Sequence, residues 1–209
     1  MSTSTAATMT PEQRVTKAFE LLEKSSKKEY VGGEVPQLDH ALQVAHLAKN
    51  EGADEETILA ALFQDIGQLI PSMERNILCH YRYDPLDRLI VSARNDSAIV
   101  PSSPGAEFLR QLGFPKKTCE LIESQVLAKR YPSTNYDGQY DPSFGLGGVV
   151  EIPSRRPLSP TEIEEFEKDP LFKQKVQLTK WDDAASKVTG VKPPALDMYR
   201  EMAIRNMLI

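Results

Sequence analysis

The stretch LAALFQDIGQLI, residues 59–70, has the spacing of a helix, and its apolar stripe carries a carboxylate. Ile58, Leu62, Ile66 and Leu69 recur at intervals of three and four, and Asp65 falls on the same side. A carboxylate among apolar neighbours is costly unless it is paired, hydrogen-bonded or bound to a metal. The residue before it is Gln64, a neutral amide where an imidazole would complete a metal-binding pair.

Two other helices repeat the pattern. Over 37–51, His40, Val44, Leu47 and Ala48 share a face, which aims an imidazole at the core. Over 171–188, Asp182 shares a face with Leu178 and Ala185, with Trp181 beside it. One imidazole and two carboxylates on inward faces form a set suited to acid/base chemistry or to holding one metal ion. His46 lies six residues beyond His40 and faces another way, and His80 reads as a surface residue of an irregular region.

With 209 residues, the chain has the length of one domain with a substantial core. Its 40% hydrophobic and 26% charged residues are those of a globular protein. A net charge of −5 argues against a general nucleic-acid or anionic-membrane binder. The longest apolar runs fall far short of the ~20 residues that span a bilayer. The first ten residues have neither the basic start nor the apolar centre of a signal peptide. They read as a polar tail (1–10) before a single domain over 11–209. Cys79 and Cys119 show no metal-binding spacing, so free thiols and a cytoplasmic location are expected.

Helical periodicity dominates the rest. Residues 11–26 start with Pro11 and keep Val15, Ala18, Phe19 and Leu22 on one side. Asp54 is the expected N-cap of the helix ending before Pro71. Residues 72–103 read as irregular. SPGAEFLRQLGF (103–114) is a helix closed by Gly113, and another runs from Pro115 to Tyr131. A long loop covers 132–159, after which Ser159 and Glu162 have capping-box spacing, and a last helix follows KPP. The expected architecture is all-α and single-domain.

Several segments together resemble a known family: YVGGEVPQLDHALQVAHLA, ILAALFQDIGQLI, GAEFLRQLGFP, VLAKRYPST and KWDDAASK, which span residues 30–187. Their order and spacing resemble the HD-domain superfamily, and most closely its mixed-valent di-iron oxygenase branch, which includes myo-inositol oxygenase and organophosphonate-cleaving enzymes. The resemblance implies an HD-type helical bundle, with His40, Asp65 and Asp182 at family ligand positions. It also implies that Tyr30 and Glu34 close over the substrate and that Lys129 binds its anionic group. SRR (154–156) resembles another family stretch near that group.

The chain departs from the family at Gln64, at Gln125 and near Pro101–Ser103, where the family has histidines; Gln68 also replaces one. Counted against the roughly six ligands that two irons need, His40, Asp65 and Asp182 suffice for one metal. From this count no cofactor is expected, a di-iron centre least of all; if a single metal binds, those three residues hold it. His40, Asp65 and Asp182 are then the expected catalytic residues. Tyr30, Glu34, Gln37, Gln64, Gln68, Gln125 and Lys129 are the expected substrate contacts, the four glutamines as an amide network.

The expected function is metal-independent acid/base chemistry of lyase, isomerase or cyclase type on a small polar metabolite in a biosynthetic pathway. The alternatives are a non-catalytic pseudoenzyme that binds a ligand or regulates a partner, and an atypical one-metal HD oxygenase or phosphohydrolase. The expected partner is a small molecule rather than nucleic acid or membrane, and the sequence is compatible with a homo-oligomer.

Overall fold

The computed structural model describes residues 9–25, 35–80, 103–131, 158–188 and 190–207. Among the described residues the chain is an all-α bundle without a β-strand. Its helices are α1 (Pro11–Lys24), α2 (Gln37–Asn50), α3 (Glu55–Phe63), α4 (Ile66–Leu69), α5 (Ser72–His80) and α6 (Pro104–Leu112). Further along come α7 (Lys116–Glu123), α8 (Gln125–Arg130), α9 (Pro160–Glu167) and α10 (Phe172–Ala185). A 3-10 turn at Leu196–Tyr199 leads into α11 (Arg200–Arg205).

Local chemistry sets most helix starts. Thr10 caps α1 in a reciprocal box with Gln13, and Asp54 accepts the Thr57 N–H at the start of α3. Ser159 and Glu162 form the expected capping box of α9. Gly113 closes α6 at φ 84°, a left-handed conformation that glycine adopts without a Cβ penalty.

Tertiary structure decides the rest. The continuous helix expected up to Pro71 is two helices: α3 stops at Phe63, and Asp65 leaves the helical region at φ −100°, ψ 6°. The helix expected from Pro115 to Tyr131 divides at Ser124, whose hydroxyl donates to the Leu121 carbonyl at 3.0 Å. Periodicity hides both breaks, because Gln64 and Ser124 keep αR backbones and the apolar faces stay aligned. Residues 72–80, expected to be irregular, form α5, and the last helix is the short α11 behind its 3-10 turn.

Helix α3 is the centre of the molecule. Every residue from Thr57 to Phe63 is buried, so it has no solvent face. Helices α2 and α7 flank it, and α10 packs across α2 and α8. The Phe63 ring lies between Phe19 of α1, at 6.0 Å, and Phe114, at 5.1 Å. Tilted and edge-on pairs of this kind add roughly 0.5–1.5 kcal/mol each beyond area burial. Among the described residues no helix is long and apolar enough to cross a membrane.

Main-chain contact fixes α4. A Cβ on Gly67 would lie 3.0 Å from the Gly105 nitrogen, and one on Gly105 would lie 2.9 Å from the Gly67 nitrogen. The backbones of α4 and α6 therefore touch with no side chain between them, and this seats the turn that carries Gln64 and Asp65. Gly105→Ala forces the helices apart. It is expected to destabilise the protein by about 1–3 kcal/mol, as overpacking does, read as a lower urea midpoint at unchanged slope.

Candidate metal centre

Three helices deliver the inward polar groups. His40 lies one turn into α2, Asp182 is in the last turn of α10, and Asp65 sits in the break between α3 and α4. The packing of α10 on α2 brings His40 Nε2 to 2.8 Å from Asp182 Oδ1. Consecutive residues of an unbroken helix point about 100° apart. The break after Phe63 lets Gln64 and Asp65 serve one site: Gln64 Nε2 donates to Asp182 Oδ1 at 2.6 Å, and Asp65 supplies the third donor of the cluster. One donor atom each from His40, Asp65 and Asp182 lie within 4.8 Å of one another.

Asp182 is the best-served carboxylate of the group. His40 and Gln64 share its Oδ1, and Lys129 Nζ stands 2.7 Å from Oδ2. Burial would push its carboxyl up. The His40 hydrogen bond and the Lys129 ammonium outweigh burial and hold it well below the usual carboxylate range. Asp65 behaves in the opposite way. Burial drives it up, the Asp182 charge adds to that, and Lys129, His40 and the Gln68 amide only partly oppose it. Its Oδ1 accepts from Gln68 Nε2 at 2.9 Å, whereas Oδ2 is sealed from solvent with no hydrogen-bond partner.

This arrangement fits a cation. An unpartnered buried carboxylate oxygen beside a second carboxylate is costly in a metal-free pocket, and a divalent ion reverses the cost. The 2.8 Å between His40 Nε2 and Asp182 Oδ1 approaches the ~3 Å between adjacent donors on an ion with bonds of ~2.1 Å. Imidazole with two carboxylates suits iron and other first-row divalent metals.

The other expected site residues distribute unevenly. Lys129 is at the cluster, paired with Asp182. Gln125 lies one turn before it on the same face of α8, and neither atom of its buried amide has a hydrogen-bond partner. Gln37 is buried a turn before His40. Gln68 is exposed and reaches back only to Asp65. The expected amide network does not form: Gln64 and Gln68 bond to carboxylates, and Gln125 to neither. His46 is exposed and bonds to Asn50, as its spacing from His40 suggested. Tyr30, Glu34, the stretch 154–156 and the His80 side chain lie outside the described residues. Sequence reasoning missed the tie between Gln64 and Asp182; a contact 118 residues apart leaves no local signal.

An all-helical bundle whose interior gathers one histidine and two aspartates in reach of a common point is, as a class, a candidate metalloprotein. No family model matches the chain. It is 35% identical over 191 residues to the hydroxymethylphosphonate dioxygenase of Gimesia maris, a match that covers 91% of this chain and 86% of that protein. It is 27% identical over 174 residues to a [1-hydroxy-2-(trimethylamino)ethyl]phosphonate dioxygenase (glycine-betaine-forming) of Leisingera caerulea, covering 83% of this chain and 80% of the relative. The chain belongs to this family of phosphonate dioxygenases.

Two expectations are overturned here. Metal-independent lyase, isomerase or cyclase chemistry gives way to an oxygenase relationship across nine-tenths of the chain. The expectation that no metal cofactor is needed, with a di-iron centre least of all, fails against the same relatives and against the three converging donors. The physical error lay in counting imidazoles: the lost histidines weighed more than a carboxylate whose burial makes sense beside a cation.

In metal-free protein Asp65 carries a penalty with a definite sign. Its folded carboxyl is raised above its unfolded value, so folding is favoured below the unfolded range near ~4 and weakens as pH rises through the folded value. With chelator present, Asp65→Asn is expected to raise stability clearly at pH 8 and by much less at pH 4. Urea unfolding at the two pH values measures this; an equal gain at both would remove the charge as its cause.

Proposed function

We propose that this chain is an iron-dependent oxygenase of the HD-domain type, acting on a small phosphonate with a hydroxyl on the carbon next to phosphorus. The observation that carries the reading is the convergence of His40, Asp65 and Asp182 donors within 4.8 Å, in a chain whose relatives are named phosphonate dioxygenases. Those three residues hold the metal, and the bound iron supplies the activation of dioxygen. Asp182 is held ionised by its partners in the metal-free pocket, and a bound cation would favour the charged form of Asp65, which burial disfavours.

The remaining roles belong to the chain. Lys129 places an ammonium at the edge of the cluster, where it suits a phosphonate oxygen while it steadies Asp182 Oδ2. It therefore couples substrate charge to a metal ligand. The unpaired Gln125 amide, one turn away, suits a polar substrate group that both donates and accepts. Tyr30 and Glu34, outside the described residues, are proposed as further substrate contacts on the sequence resemblance alone. Gln37 and Gln68 have weaker claims, because Gln68 is exposed and bonds to Asp65 and Gln37 is buried a turn before His40.

The test is anaerobic loading with Fe²⁺, a count of iron per chain, and oxygen uptake with hydroxymethylphosphonate as the probe. Wild type should retain at least one iron and consume oxygen only when the phosphonate is present. His40→Ala should lose most of its iron and at least about 100-fold in rate. A wild-type protein that holds no iron, or a His40→Ala variant with full iron and full rate, would sink the proposal.

A further inference from the structure

Position 64 follows an uncommon logic. Gln64 is 8% exposed, and its amide nitrogen lies 2.6 Å from Asp182 Oδ1. The amide presents Nε2 to the carboxylate oxygen, an acceptor, and turns Oε1 away. The oxygen is buried and has no hydrogen-bond partner. A side chain selected only to fill space would not combine a short bond to the site's most ionised group with an unpaired carbonyl.

We propose that Gln64 is a positioning residue that sets the orientation of Asp182 for metal binding through its amide N–H; the inference rests on the oxygenase reading above. In the metal-free pocket two nitrogens share Asp182 Oδ1, His40 Nε2 at 2.8 Å and Gln64 Nε2 at 2.6 Å. Their fates differ when a cation enters. A His40 that ligated through Nε2 would no longer share that nitrogen with Asp182. Gln64 has no such alternative, since its N–H remains a donor in both states. With Lys129 on Oδ2, it would hold the carboxylate in the rotation that presents it to a bound ion. The break between α3 and α4 makes this possible by letting residue 64 reach Asp182 while residue 65 supplies a ligand. Gln64 is therefore neither a substrate contact nor a vestige of a ligand; it holds a ligand in place.

The test uses the full chain, with Co²⁺ as a spectroscopic probe and Fe²⁺ as a second metal. Gln64→Met and Gln64→Leu keep the volume of residue 64 and remove its N–H. Each should bind Co²⁺ about 10–100-fold more weakly than wild type and show a shifted visible absorption band from altered Asp182 ligation. Met202→Ala, a core truncation in α11, which packs on α1 and the 3-10 turn, should lower thermal stability yet keep wild-type affinity and spectrum. This contrast separates positioning from general loosening, and two variants cover the case in which one fails to fold. Wild-type affinity and an unchanged spectrum in either folded Gln64 variant overturn the inference while leaving the oxygenase reading intact. Wild type that binds neither metal overturns the oxygenase reading, and this inference with it.

Discussion

One buried carboxylate organises the interior. Asp182 is 3% exposed and ionised, and three elements supply the groups that keep it so: His40 from α2, Gln64 from the end of α3 and Lys129 from α8. An isolated charge at that depth would unfold a marginally stable domain. The packing of α10 on α2 and α8 is thus an electrostatic requirement as well as an apolar one. Asp65 is the counterweight. It lies in the same cluster with half of its carboxylate unpaired, so the metal-free pocket holds one satisfied and one unsatisfied acid. That asymmetry makes a cation the natural occupant.

Helix ends were legible because they are local. Asp54, Gly113 and the pair Ser159 and Glu162 act within three or four residues of themselves, and the fold uses each as expected. The breaks at Gln64–Asp65 and at Ser124 were not legible, because a kink that keeps the apolar face aligned leaves the hydrophobic period intact. Helix α5 was overlooked because its polar residues outweighed a turn of helix that packs on α6.

The site was legible to the same depth. Spacing identified His40, Asp65 and Asp182 as inward-facing, and the bundle brings them together. What spacing could not give was the energetic state of each carboxylate, which depends on Lys129 and Gln64, 53 and 118 residues from Asp182 in sequence. Without those partners the missing histidines read as the loss of a metal. With them, the glutamine at position 64 is a hydrogen-bond partner of Asp182, and the relatives carry the names of oxygenases.

The contact between Gly67 and Gly105 carries a consequence for how such a site changes over time. Because α4 is seated partly by main chain against main chain, the placement of Asp65 before it rests in part on a contact that side-chain exchange leaves alone. An amide in place of an imidazole at position 64 leaves that contact in place, while Asp182 on α10 still depends on its side-chain partners. Scaffold and chemistry are thereby separable on this side of the pocket, where a lineage can retune residues beside Asp65 one at a time while the glycine contact stays where it was.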